Sequence, residues 1–187
     1  MRIGLVGEAP NDTEAIQKLL EKKYSNLNFF FMLQRVNGSN LDSQKIKRFL
    51  RIEFETQKPD VVIFIRDLDA VLPNREKLSK RKEYFRDVNR VVNKKGIFFL
   101  NIYEIEALIL ADIGCFNRFF NVNVEIDIDV MLIEEPKEFL KSKASRYNES
   151  MNSNIFEDLS FDTVHANCKY LEGFIKKFDR LISYSGS

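Results

Sequence analysis

The stretch that most constrains this chain is "DVVIFI", residues 60 to 65, where Val61 to Ile65 form an unbroken apolar run, β-branched at every position but Phe64. A strand with one wet face alternates polar and apolar residues, so a continuous run belongs to a strand covered on both faces. Helices must then lie above and below the sheet, and the chain should alternate strands with helices. It does so. "RIGLV" (2–6) is a short strand stopped by Gly7, and "NDTEAIQKLLEKKY" sets Ile16, Leu19 and Leu20 on one helical face. Asn11 is expected as its N-cap, with Glu14 completing a near capping box. "LNFFFMLQRV" (27–36) predicts a second strand, and "LDSQKIKRFLRIEFE" (41–55) repeats Leu41, Ile46, Phe49, Leu50 and Phe54 at roughly helical spacing. Beyond the central run, residues 74–94 carry Leu78, Phe85, Val88 and Val92 as an amphipathic helix. "GIFFLNIY" (96–103) supplies a fourth strand, and "EIEALILAD" (104–112) a mostly buried helix. The expected class is α/β: a three-layer Rossmann-like fold around a central, mainly parallel four-stranded sheet with right-handed crossovers.

The last third is less regular. "VNVEIDIDV" (122–130) alternates as a half-exposed strand does, and "FDTVHANCKYLEGFIKKFDRLI" (161–182) predicts one terminal amphipathic helix. The length of 187 residues suits one domain, with a core over 1–112 and a mostly helical C-terminal extension over 113–187 packed on it. The tail "SYSGS" is expected to fray.

Composition excludes several classes. No apolar run approaches the ~18 residues of a membrane helix, and the five residues between Arg2 and Glu8 are too few for a signal peptide, so a cytoplasmic protein without membrane contact is expected. Cys115, Cys168 and the single His165 cannot build a four-ligand zinc site, so any metal must be held mainly by oxygen. His165 and Cys168, one turn apart, are read as packing. A net charge of +1 neither demands nor excludes a polyanionic partner.

Ligands of open parallel sheets bind outside the carboxyl ends of the strands. Acidic pairs follow three of the four strands here: Glu8 and Asp12, Asp67 and Asp69, Glu104 and Glu106. Taken singly, each has an ordinary structural explanation, since Asp12 falls in a first helical turn and aspartate is a common turn residue. Their recurrence is what points to a site. Two unit charges ~4 Å apart repel by about 4 kcal/mol at an effective dielectric near 20, so convergence calls for a counter-charge. Mg²⁺ or Mn²⁺ is the natural one, and a pair of such ions would activate a water and stabilise a leaving oxygen.

With these residues in place the chain resembles a TOPRIM domain, the metal-binding fold of topoisomerases, primases and OLD-family nucleases. The resemblance covers about residues 1–112 and rests on Glu8 with Asp12 four positions later, on Asp67-x-Asp69 after a later strand, and on "EIEALILAD" after the fourth. That last segment makes the OLD-like branch, with small stand-alone relatives often encoded beside ATPases in anti-phage loci, the best fit. The glycine that usually follows the first glutamate is Ala9 here, with Gly7 before it. The resemblance implies Glu8 as general base or metal ligand, Asp67 and Asp69 as main ligands, and Asp12, Glu104 and Glu106 as further ligands of Mg²⁺ or Mn²⁺, two ions in all. It implies a nuclease, with nucleic acid as partner, DNA ahead of RNA, and a companion ATPase; a homo-oligomer is compatible. Related nucleases bring a lysine from beyond the core to the phosphate, and Lys141 and Lys143 are placed to be considered, with no site assigned.

The helix at 74–94 carries Arg75, Lys77, Lys80, Arg81, Lys82, Arg86 and Arg90 against Glu76, Glu83 and Asp87, which suits a sequence-blind phosphate track or a solvated face. Arg66, Lys77 and Arg81 are the candidate substrate-binding residues; Arg66 either binds phosphate or neutralises the acids beside it. Two rival readings stand. "VVIFIRDLDAVL" also resembles the first motif of haloacid-dehalogenase-type phosphatases, with Asp67, Asp69 and Val71 in place, although that motif normally opens its fold. The other is a catalytically silent TOPRIM module that docks to nucleic acid or to an ATPase.

Overall fold

Val61–Asp67 (β3) lies inside a four-stranded sheet with Arg2–Val6 (β1), Asn28–Phe31 (β2) and Gly96–Asn101 (β4), in the order β2-β1-β3-β4. The computed structural model describes residues 1–8, 10–34, 41, 43–71 and 74–184, the last without its side chain. Every strand pairing is parallel, with Gly4 opposite Val62 and Ile63 opposite Ile97. The expected α/β class with a parallel four-stranded sheet and a helical C-terminal part is therefore the observed one. From β1 the chain moves outward to β2, then returns past β1 to β3. The direction of winding reverses between β1 and β3, and a crevice opens at such a switch point.

The apolar run of β3 serves both faces. Val61, Ile63 and Ile65 enter one core cluster with Ile16, Leu19 and Leu20 of Pro10–Glu21 (α1). Val62 and Phe64 enter a second with Leu50 and Phe54 of Gln44–Gln57 (α2) and Tyr84 and Val88 of Arg75–Val91 (α3). Burying a side chain such as Phe64 contributes about 1.5–3 kcal/mol. The first cluster continues into the C-terminal helices: Ala107–Ala111 (α4), Ile113–Phe120 (α5), Pro136–Lys143 (α6), Asn152–Asp158 (α7), Phe161–Asn167 (α8) and Lys169–Tyr184 (α9). Among the described residues, no helix is long and apolar enough to cross a membrane.

Several elements differ from expectation. Residues 122–130 form no strand: among the described residues the sheet is made of β1 to β4, and this segment pairs with none of them. The Asn117 amide takes that role, accepting from Val124 N and donating to Val124 O, both at 2.9 Å. The terminal helix is broken at Cys168 into α8 and α9; the Cys168 thiol sits at 3.5 Å from Leu171 N and 3.8 Å from Met131 Sδ, while His165 stacks on Phe161. Asn11 is not a cap, since α1 already starts at Pro10, and Glu14 pairs with Lys18 at 3.7 Å instead. The helix predicted over 104–112 shortens to α4, and Asp112 Oδ1 accepts from Cys115 N to start α5. The second strand ends at Phe31; Arg35 and Val36, like Ala9 and the last residues of the tail, lie outside the described residues.

Candidate functional site

The acidic pairs sit where the parallel topology puts them, at the carboxyl edge around the β1/β3 switch point. Glu8 follows β1 and Asp12 lies in the first turn of α1. Gly7 permits the sharp approach between them, since a Cβ there would meet Thr13 Oγ1 at 2.5 Å. Asp67 ends β3, and the chain beyond it is held by the backbone of β4's extension: Leu68 N donates to Asn101 O and Asp69 N to Tyr103 O, both at 2.9 Å. Asp69 and Tyr103 both adopt left-handed backbone conformations, φ 55° and 62°. For tyrosine this is an outlier that surrounding structure must hold in place, and such residues gather at functional edges.

Five of the six carboxylates divide into an arginine-neutralised group and a cation-poor group. Arg66, buried at the end of β3, forms an ion pair with Glu8, and its guanidinium lies 4.6 Å from the centre of the Tyr84 ring. Arg81 reaches from α3 to three places at once: Nη2 lies 2.7 Å from Asp69 Oδ2 and 3.7 Å from Glu8 Oε1, and Nε donates to Asp67 O at 2.7 Å. Lys77 Nζ donates to Asp69 O. Arg66 and Arg81 are thus engaged with the acids around them, and Lys77 with the backbone of Asp69.

Asp12, Asp67 and Glu106 are the other group, and among the described residues none of them forms an ion pair. Burial raises the Asp12 carboxyl from 3.8 to about 7, helped by Glu106 and Glu8. Burial likewise holds Asp67 well above the usual carboxylate range; Asp12 adds to this, and the Asn101 amide, donating to Asp67 Oδ1 at 2.8 Å, opposes it. Glu106 is raised by burial against the opposing hydrogen bond from Asn152. Burial and mutual repulsion thus raise the proton affinity of all three carboxylates. Beside them, the buried Asn101 Oδ1 has no hydrogen-bond partner among the described residues. The donor set is oxygen throughout and suits a hard divalent ion. No three of the candidate ligands nonetheless close around one point among the described residues.

Glu104 stands apart from both groups. It accepts from Lys137 N at 3.3 Å and lies 3.5 Å from Lys137 Nζ, which also lies 3.5 Å from Glu149. Lys137 loses proton affinity to burial but gains more from Glu104, Glu149 and Glu106, so it stays firmly charged. Lys141 pairs with Glu138, and Lys143 lies over Phe139. Lys137, a few residues before them, is the cation that pairs with Glu104. Tyr147 and Asn152 were equally unmarked in the sequence; both donate to Glu106 Oε1, at 3.3 and 3.0 Å. A cavity of about 250 Å³ lies at the same edge of β1 and β2, lined by Gly7, Pro10, Thr13 and Glu14 opposite Phe31 to Gln34. Comparison with protein-family models, curated proteins and solved structures finds no match to this chain.

Proposed function

We propose that the chain is a metal-dependent phosphodiester hydrolase of the TOPRIM type, an endonuclease acting on nucleic acid, DNA ahead of RNA, in phage defence or DNA processing. The observation that carries this reading is the cation-poor group at the switch point: Asp12, Asp67 and Glu106, raised in proton affinity and lacking any ion pair among the described residues. These three would hold the first Mg²⁺ or Mn²⁺, with Glu8 and Asp69 joining once released from their arginines. Such an ion neutralises charge at the phosphate and lowers the pKa of a bound water.

The chain's own residues supply the rest. A phosphodiester would compete with Glu8 and Asp69 for the guanidinium groups of Arg66 and Arg81. Exchange of a carboxylate for a phosphate would bind substrate and free a ligand in one step. Tyr147 and Asn152 fix the Glu106 carboxylate, and Lys137 places a positive charge on the far side. A companion ATPase belongs to the same proposal.

One observation favours the docking module instead. Glu8 and Asp69 are already neutralised, and no three candidate ligands converge among the described residues. Incubation of supercoiled plasmid with Mg²⁺, Mn²⁺ or chelator, beside the Asp67→Ala variant, separates the two. Metal-dependent nicking lost in the variant is expected; equal nicking by both proteins, or none with either metal, overturns the nuclease. Turnover of a small chromogenic phosphate monoester in place of nicking would favour the phosphatase.

A further inference from the structure

Among the described residues, four large apolar side chains remain well exposed: Phe49 at 46%, Ile52 at 58%, Ile128 at 55% and Leu132 at 62%. They fall into two pairs of opposite electrostatic character. Phe49 and Ile52 lie on the outer stripe of α2 with Lys45 and Arg48, at the i, i+3, i+4, i+7 spacing of one helical face, while Leu50 and Phe54 turn inward. Lys45 Nζ sits 5.8 Å above the Phe49 ring. Between residues 44 and 52 there are four cations and no acid. Arg48 and Arg51 have no ion pair among the described residues, and with Lys47 and Ile52 they line an open groove of about 400 Å³.

Ile128 and Leu132 belong to a segment of the opposite sign. Residues 122–135 contain Glu125, Asp127, Asp129, Glu134 and Glu135 and no cation, and all five acids are exposed. Val130, Met131 and Ile133 anchor that segment in the core, so Leu132 points outward from a short 3₁₀ turn. Neither Glu125 nor Asp127 has an ion pair among the described residues, and Asp129 has one at 3.5 Å to Lys169.

The two patches lie on opposite sides of the sheet. The inner residues of α2 pack in the cluster shared with α3, whereas Val130, Met131 and Ile133 pack in the cluster shared with α1 and the C-terminal helices. They cannot meet within one molecule.

We infer that the outer face of α2 docks onto the acidic 122–135 segment of a second copy of this chain, in a head-to-tail contact. Each patch offers two apolar side chains framed by charge, basic on one and acidic on the other, which is the complementarity an interface needs to orient and bind. A phosphate backbone would use the cations but has no use for Phe49 and Ile52. Because the patches differ, the contact is heterologous, and repetition closes into a ring or grows into a chain. The inference is independent of the catalytic reading, since no residue of the acidic edge takes part.

Sedimentation velocity of nuclease-treated protein tests it. At ~0.05 M salt the wild type is expected to associate, and at ~1 M, where the screening length falls to ~3 Å, to dissociate. Lys45→Glu/Arg48→Glu and Glu125→Lys/Asp127→Lys should each weaken association at least tenfold while keeping the wild-type circular dichroism spectrum. Mixing the two double variants should restore it, since each retains the patch the other lacks. A wild type monomeric at all salt concentrations, association unchanged in either double variant, or no recovery on mixing overturns the inference. Association seen only before nuclease treatment overturns it too, and assigns the α2 face to nucleic acid.

Discussion

Replacing Asp12 with asparagine should make the ion-free protein more stable, and only above a defined pH. The folded state raises the Asp12 carboxyl from 3.8 to about 7, so it binds that proton more tightly than the unfolded chain does. The stability this contributes is complete below about 3.8 and lost as pH rises through about 7. The difference corresponds to a ceiling of about 4 kcal/mol. Asp12 keeps partial contact with water and titrates against Asp67 and Glu106, so about half of that ceiling, ~2 kcal/mol, is the reasonable expectation. Asparagine also gives up the favourable charge at the start of α1, worth about 0.3–1 kcal/mol. The net gain for a protein of this size is roughly 2–6 °C in Tm at pH 8, vanishing or reversing near pH 4. Thermal unfolding in chelator across that range measures it. Mn²⁺ should stabilise the wild type by about 2.7 kcal/mol at one hundred times its Kd, and the variant far less. A variant less stable than wild type at pH 8, or an effect that does not change with pH, would refute the reasoning.

Three further outcomes follow from named contacts. Arg81→Ala removes the bridge from α3 to Asp69, Glu8 and Asp67 O and should cost about 1–3 kcal/mol in urea unfolding, with Arg81→Lys recovering only part because lysine lacks the fork. Tyr147→Phe deletes the single hydroxyl proton shared between Glu106 Oε1 at 3.3 Å and Asn152 Oδ1 at 2.8 Å, and should cost about 1 kcal/mol while weakening Mn²⁺ affinity by up to tenfold in calorimetry. Asn117→Ala leaves both backbone groups of Val124 without their partner and should cost about 1–3 kcal/mol; hydrogen exchange at Val124 should accelerate with it.

The parts of the fold legible in the sequence were those where burial dictates residue type along a regular element. β3 must be apolar at every position because Val61, Ile63 and Ile65 face one cluster and Val62 and Phe64 the other, and that pattern was visible. Residues 122–130 misled because alternation also arises in irregular chain: Val124 and Val130 dip into the structure between exposed acids, and only the missing partner strand distinguishes the two cases. The break at Cys168 was hidden because Val164 of α8 and Leu171 of α9 bury into the same cluster, so the apolar spacing runs through it. At the acidic edge, the positions of Glu8, Asp67 and Glu106 followed from strand ends alone. Their division into neutralised and cation-poor groups did not, since the Arg66–Glu8 pair depends on β1 lying beside β3 and Lys137, Tyr147 and Asn152 come from the extension.

Titration calorimetry of Mn²⁺ into the wild type and into Asp67→Asn at pH 7.5 tests the central claim most directly. Heat from at least one saturable site is predicted for the wild type, and at least a tenfold loss of affinity in the variant. No saturable binding to the wild type, or identical binding to both proteins, would contradict the assignment of the cation-poor group as a metal site.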